Sequence, residues 1–133
     1  MAGTVVETRT YLDHGKKIQV ELYCVGDASN GSIPNTAITG LEGFYIYSAE
    51  AWPKAGGTAP DAADVTLTDV ELEDVLGGNG VGLIHATAKQ STLPEIAFMT
   101  LNFYQLIKGT LTFAVANQTT NSATYYVRFT FTK

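Results

Sequence analysis

The chain of 133 residues has one cysteine and no apolar run near the length of a membrane-spanning helix. Cys24 alone cannot form an internal disulfide, and its alternation with Val20 and Leu22 indicates a buried structural thiol. A helix across a bilayer needs about 20 apolar residues, so we expect no membrane partner. The first residues show no basic region followed by an apolar core, so we expect no signal peptide either.

Basic residues are also scarce, and one long segment has none. Residues 55–88 contain six acids and no Lys or Arg, whereas the remainder contains seven acids and eight bases. These two parts carry charges of −6 and +1, which give the net charge of −5. Attraction to phosphates supplies most of the non-specific affinity for nucleic acid. The acidic balance therefore predicts no nucleic-acid partner.

Residue types that carry catalysis are few, and none stands in a known arrangement. His14 falls in a predicted turn and His85 in a weak strand, and neither has a partner at metal-ligand spacing. Residues 77–82 are rich in glycine but lack the Lys of a phosphate-binding loop. The acids of residues 69–74 lack the spacing of an EF-hand. The sequence thus predicts a protein that is not an enzyme, with no cofactor and no metal, although paired carboxylates for glycoside cleavage stay open.

What the chain has in abundance is alternation of apolar and polar residues. Residues 4–12 and 17–25 predict two strands joined by a tight turn at Gly15. Residues 40–49 predict a third strand with apolar side chains on both faces, Phe44 and Ile46 on one and Tyr45 and Tyr47 on the other. Residues 63–72 predict a fourth strand whose apolar side chains point inward. Residues 83–88 and 97–103 give weaker strand patterns, and for residues 96–107 we prefer strand to an amphipathic helical turn.

Residues 109–131 carry the clearest signal, because two period-two stretches flank a polar loop at residues 117–122. We expect them to form an antiparallel hairpin covered by the upstream strands. Counting all segments gives seven to nine short strands with turn signals between them. The prediction is an all-β fold, namely one antiparallel two-sheet β-sandwich domain over residues 1–133, of jelly-roll type.

Five residues are candidates for an interface. Residues 50–61 predict a long loop rich in Pro and Gly, in which Trp52 is an anchor of the kind found at interfaces. Tyr45 and Tyr47 offer aromatic surface, and Asp61 and Asp64 belong to the acidic segment. Two simpler interpretations stay open. In these, Trp52 folds back over one end of the core, and the acids of residues 61–74 only keep an exposed face soluble, with those at positions 69, 71 and 73 forming a solvated stripe.

Two patches of the second half resemble a family. PDAADVTLTD at residues 60–69 leads to DVLGGNG at residues 74–80, and GTLTFAVAN at residues 109–117 leads to NSATY at residues 121–125. Together they resemble small structural proteins in the virions of tailed bacteriophages. The architecture is similar to the jelly-roll cement or decoration proteins on the outside of the capsid.

This resemblance implies a function. It implies binding to the major capsid protein, self-association as a homo-oligomer, and a place in the virion after assembly in the host cytoplasm. The edges of residues 4–12 and 124–132 would then be available for strand addition. Head-to-tail and tail positions are alternatives within the same group. A carbohydrate-binding module would instead use a flat aromatic face, drawn from six residues: Tyr23, Tyr45, Tyr47, Trp52, Tyr104 and Tyr126. The simpler interpretation of each of these aromatics is a cross-strand pair within a sheet.

Overall fold

A computed structural model describes residues 2–96, 101–102 and 105–133. Its strands are β1 (Thr4–Leu12), β2 (Lys17–Val25), β3 (Thr36–Ile38), β4 (Tyr45–Pro53), β5 (Asp64–Thr68), β6 (Gln90–Thr92), β7 (Glu95–Ile96), β8 (Leu101–Asn102), β9 (Leu111–Ala116) and β10 (Thr124–Thr132). In this part of the chain, no helix is long and apolar enough to cross a bilayer.

Eight of these strands form two antiparallel sheets. The larger sheet has the order β1-β2-β10-β4-β6, and the smaller has the order β3-β9-β5. Strands β7 and β8 pair separately. One apolar core joins the two layers, so the predicted all-β, two-sheet β-sandwich is confirmed. A jelly roll has eight strands in two Greek keys, and that connectivity stays a prediction here.

The first predicted hairpin is confirmed. Strands β1 and β2 pair over nine residues each, from Thr4 opposite Val25 to Leu12 opposite Lys17. The turn between them holds Gly15 at a φ of +82° and His14 at +55°. Glycine reaches such angles without a steric penalty, so this connection can be short.

The second predicted hairpin is wrong. Strand β9 pairs with β3 and β5 in the smaller sheet, whereas β10 lies between β2 and β4 in the larger one. The two strands face each other across the core, where the rings of Phe113 and Phe129 meet edge to face at 5.8 Å. Both have one apolar face, as the alternation required, but those faces pack layer on layer. Because β10 is central, it offers no edge for strand addition.

The acidic turn after β5 also differs from the prediction. Val65 and Leu67 are buried as expected. The alternation then stops, because the backbone turns after Thr68 and Leu72 takes a φ of +64°. Asp69 is therefore buried, whereas Val70 and Leu72 are exposed, so the expected acidic stripe does not form.

The two weaker strand predictions have different outcomes. Residues 83–88 form no strand, and only Ile84 makes an isolated bridge, to Ala63. His85 lies in the loop that follows, where its Nδ1 accepts the N–H groups of Thr87 and Ala88. Residues 97–103 lie mostly outside the described residues, as does Tyr104.

Candidate interaction surface

An aromatic row crosses the outer face of the larger sheet. In the strand register Tyr23 of β2 lies opposite Tyr126 of β10, which lies opposite Trp52 of β4. Directly opposite residues share a face, so the three rings stand side by side. The ring centroids of Tyr23 and Tyr126 are 5.0 Å apart, and those of Tyr126 and Trp52 are 5.3 Å apart and stacked. Val6 of β1 extends the row on a fourth strand.

This location corrects the predicted position of Trp52, whose role as an interface anchor stays a prediction. The residue lies in β4, neither in a loop nor over one end of the core. Strand β4 continues to Pro53 because proline at its last residue removes no needed ladder donor. The loop that the Pro and Gly residues predict therefore begins later, after Pro53. Trp52 is half-buried, and its neighbours along the strand, Ala49 and Ala51, face the core.

Cations surround the row. Lys89 Nζ lies 4.7 Å and the Arg128 guanidinium 4.9 Å from the centre of the Trp52 ring, and Lys54 lies 5.3 Å from that of Tyr23. Such contacts contribute about 0.5–1 kcal/mol at exposed sites. They also hold positive charge on this face, in a chain whose net charge is negative.

Glu50 connects two of these cations. Its carboxylate accepts Nε and an Nη of Arg128 at 3.2 and 3.3 Å and lies 3.0 Å from Lys89 Nζ. Burial opposes the charge on Glu50, but the bonds to Arg128 and Lys89 outweigh it and lower the pKa of the carboxyl. A shallow groove of about 460 Å³ borders this cluster, lined by Ser48, Glu50, Ser91, Thr92 and Leu93.

The two predicted tyrosines lie at the other end of β4. Tyr45 and Tyr47 are exposed, as expected for the face opposite Phe44 and Ile46. Tyr45 and Trp52 are seven positions apart, which corresponds to about 23 Å along a strand. The structure therefore does not bring these candidates together with Trp52.

The two predicted aspartates bind loops of their own chain. Asp61 accepts four hydrogen bonds, from the backbone N–H and the hydroxyl groups of Thr119 and Thr120, at 2.6–3.0 Å. These bonds lower the pKa of Asp61 from 3.8 to about 2. Asp64 accepts the N–H of Gly82 and the side-chain amide of Asn117. Both carboxylates fasten the loops around β5 and β9.

The remaining aspartates of the acidic segment act in the same way. Asp69 Oδ1 accepts the N–H groups of Glu71 and Glu73, and Asp74 accepts those of Leu67, Leu76 and Gly78. Short acidic side chains commonly close turns in this manner. The sequence showed the acids but not their partners, because backbone donors depend on the turn geometry.

Reasoning from the sequence missed the arrangement of the outer face. In the sequence Tyr23 and Tyr126 are only two of several aromatics expected to be exposed, and no pattern singles out Arg128. The signal that groups them is the register between β2, β10 and β4, which alternation alone does not give.

Among the described residues, no group of three or more His, Cys, Asp or Glu side chains is placed to hold a metal ion. The thiol of Cys24 is buried, which raises its pKa. Comparison with known proteins gives no match to a family model, to a curated protein or to a solved structure.

Proposed function

We propose that this chain is a non-enzymatic structural protein of a tailed-phage virion, of the capsid cement or decoration type. It binds the major capsid protein through the outer face of its larger sheet. The motifs at residues 60–80 and 109–125 carry the link to virions, and the aromatic row carries the assignment of the contact surface.

The aromatic row has the composition of a protein-binding site. Trp, Tyr and Arg are the residues most enriched among those that dominate binding energy at interfaces. Here Trp52, Tyr126 and Arg128 stand together on the outer face of the larger sheet. Because β10 is central in that sheet, the platform is rigid, and little entropy is lost when a partner binds.

A carbohydrate-binding module is the second candidate, and the same row supports it. Three neighbouring aromatics on a sheet could receive a sugar, yet stacking on a sugar uses exposed ring faces. The stacked contact with Tyr126 and the two cations near Trp52 occupy much of that ring surface. The geometry therefore supports a protein partner better. A glycan array without binding would remove this candidate.

The virion proposal is tested on purified particles. We expect mass spectrometry to find this chain in stoichiometric amounts in virions from the phage that encodes it. Its absence from particles would contradict the virion assignment.

The surface is tested by a substitution in the aromatic row. Trp52→Ala should lower occupancy on stripped particles at least tenfold, because a buried aromatic anchor contributes about 2 kcal/mol or more at an interface. Trp52→Phe should keep most of the binding. Val81→Ala is the matched control, since Val81 is an exposed apolar residue in the acidic segment. Equal binding of Trp52→Ala and the control would place the contact elsewhere while leaving the virion assignment intact.

A further inference from the structure

Strand β1 is the longest open edge among the described strands. It has nine residues and pairs with β2 alone. The other edge strands of the two sheets are shorter, with three residues in β3 and β6 and five in β5. In an antiparallel strand, alternate residues direct their N–H and C=O groups to opposite sides. Half of the β1 backbone therefore faces away from β2.

The inner face of this edge carries a charge pair. Glu7 and Arg9 lie opposite Leu22 and Val20, which are buried, and so point toward the smaller sheet. The two side chains form an ion pair, and Arg9 also donates to the carbonyl of Thr39. Inward-pointing charges on an edge strand disfavour pairing with an arbitrary apolar strand. A partner must therefore supply complementary charge.

The sequence of β1 supplies that complement to itself. We propose that β1 pairs antiparallel with β1 of a second copy, about a two-fold axis through Thr8. In this register Glu7 lies opposite Arg9 of the second copy, and the symmetry repeats the pair. Val5 lies opposite Tyr11, a favourable pair of a β-branched and an aromatic residue, and Val6 lies opposite Thr10. The pairing would join two five-stranded sheets into one sheet of ten strands.

Charge selects this register over its neighbours. A shift that keeps inner side chains on the inner face moves the axis by one residue, to Glu7 or to Arg9. The first shift places Glu7 opposite Glu7, and the second places Arg9 opposite Arg9. Like charges directly opposite each other are destabilising. Only the register centred on Thr8 pairs both charges with their opposites.

Two apolar side chains of β1 are exposed in the single chain, as expected for an edge that a second copy covers. Val6 is 57% and Tyr11 is 61% exposed, although both are large apolar residues in a regular strand. The closed, isologous symmetry of such a pair limits assembly to a dimer through this edge. The inference does not depend on the virion proposal, because it concerns only copies of this chain.

The test exchanges charges on the full chain. Glu7→Arg and Arg9→Glu each place like charges opposite each other, so each variant alone should dimerise at least tenfold more weakly than the wild type by sedimentation velocity. A one-to-one mixture of the two variants should form heterodimers. Each variant chain carries two like charges at positions 7 and 9, so the ion pair within one strand stays broken in the mixture. Rescue must therefore come from opposite charges that pair between the two copies.

A cross-link tests the register itself. Thr8→Cys should form a disulfide-linked dimer under mild oxidation, because residue 8 faces itself across the axis. Thr10→Cys is the control and should not, since Thr10 faces Val6 of the second copy. Circular dichroism confirms that each variant is folded, and the cross-link does not require the ion pair to be changed. A wild type that stays monomeric at about 100 μM, single variants that dimerise normally, or equal cross-linking at both positions would overturn the proposal.

Discussion

Strands β1 and β10 are matched in length and in their register with β2 but differ in what surrounds them. Each has nine residues, and each pairs with β2 in the same register, so Thr4 and Thr124 both lie opposite Val25. The inward residues of β10 are fully buried, namely Tyr125, Val127, Phe129 and Phe131. Their counterparts in β1 are half-buried or exposed, namely Val5, Glu7, Arg9 and Tyr11.

The difference lies in the second layer. The smaller sheet has three strands against five, and the partial exposure of the inward residues of β1 shows that this edge has less to pack against. A fully buried charge would need a full set of partners, whereas Glu7 and Arg9 at the rim stay partly solvated. The same strand geometry thus serves as core in β10 and as edge in β1.

The largest expected effect is a difference in unfolding free energy between substitutions at matched positions of β10 and β1. Phe129→Ala should lower the free energy of unfolding by about 3–5 kcal/mol, because a large buried ring leaves a cavity. Arg9→Ala, at the matched position of β1, should cost about 1 kcal/mol or less, as for a partly exposed ion pair. Urea unfolding of both variants measures the difference. Similar losses at the two positions would contradict the contrast.

An intermediate effect is expected at the loop that leads into β10. Asp61 holds Thr119 and Thr120, and its pKa is lowered to about 2. A lowered pKa stabilises the fold above the unfolded value near 4, and that contribution is lost as the pH falls from about 4 to 2. The Asp61→Asn variant should therefore unfold at a lower urea concentration than the wild type at pH 7. The difference between the two unfolding midpoints should narrow toward pH 2. A gap independent of pH would show that the charge of Asp61 does not hold the loop.

The smallest effect is expected at a buried hydroxyl group in β10. The hydroxyl of Tyr125 is buried, and within the described part of the chain it has no hydrogen-bond partner. Burial, followed by the nearby Cys24, raises the pKa of Tyr125. Tyr125→Phe should raise the free energy of unfolding by about 1 kcal/mol, because an unsatisfied polar group is removed. A loss of stability would show that the hydroxyl is bonded. Ala123→Gly, at a buried neighbour, serves as a destabilising reference.

The sequence predicted which face of a strand is buried better than it predicted which strands pair. Alternation identified the buried side of β2, β5, β9 and β10, because burial depends on each side chain. It paired β9 with β10 wrongly, because the choice of sheet depends on packing between distant segments.

Proline and acidic residues also led to wrong predictions of secondary structure at two places. Pro53 suggested a loop where β4 still continues, and the acids after Thr68 suggested a strand where carboxylates close turns. In both cases the deciding contacts are with backbone groups that a residue pattern does not display. The aromatic row became visible only with the register.

Amide hydrogen exchange along β1 and β10, measured by NMR at low and high protein concentration, tests the central contrast most directly. We expect every ladder amide of β10 to be protected at both concentrations. In β1, the amides directed away from β2 should exchange rapidly in dilute protein and slowly at concentrations where dimers form. Uniform protection of β1 in dilute protein, or rapid exchange of its outward amides at every concentration, would contradict an open edge that receives a second copy.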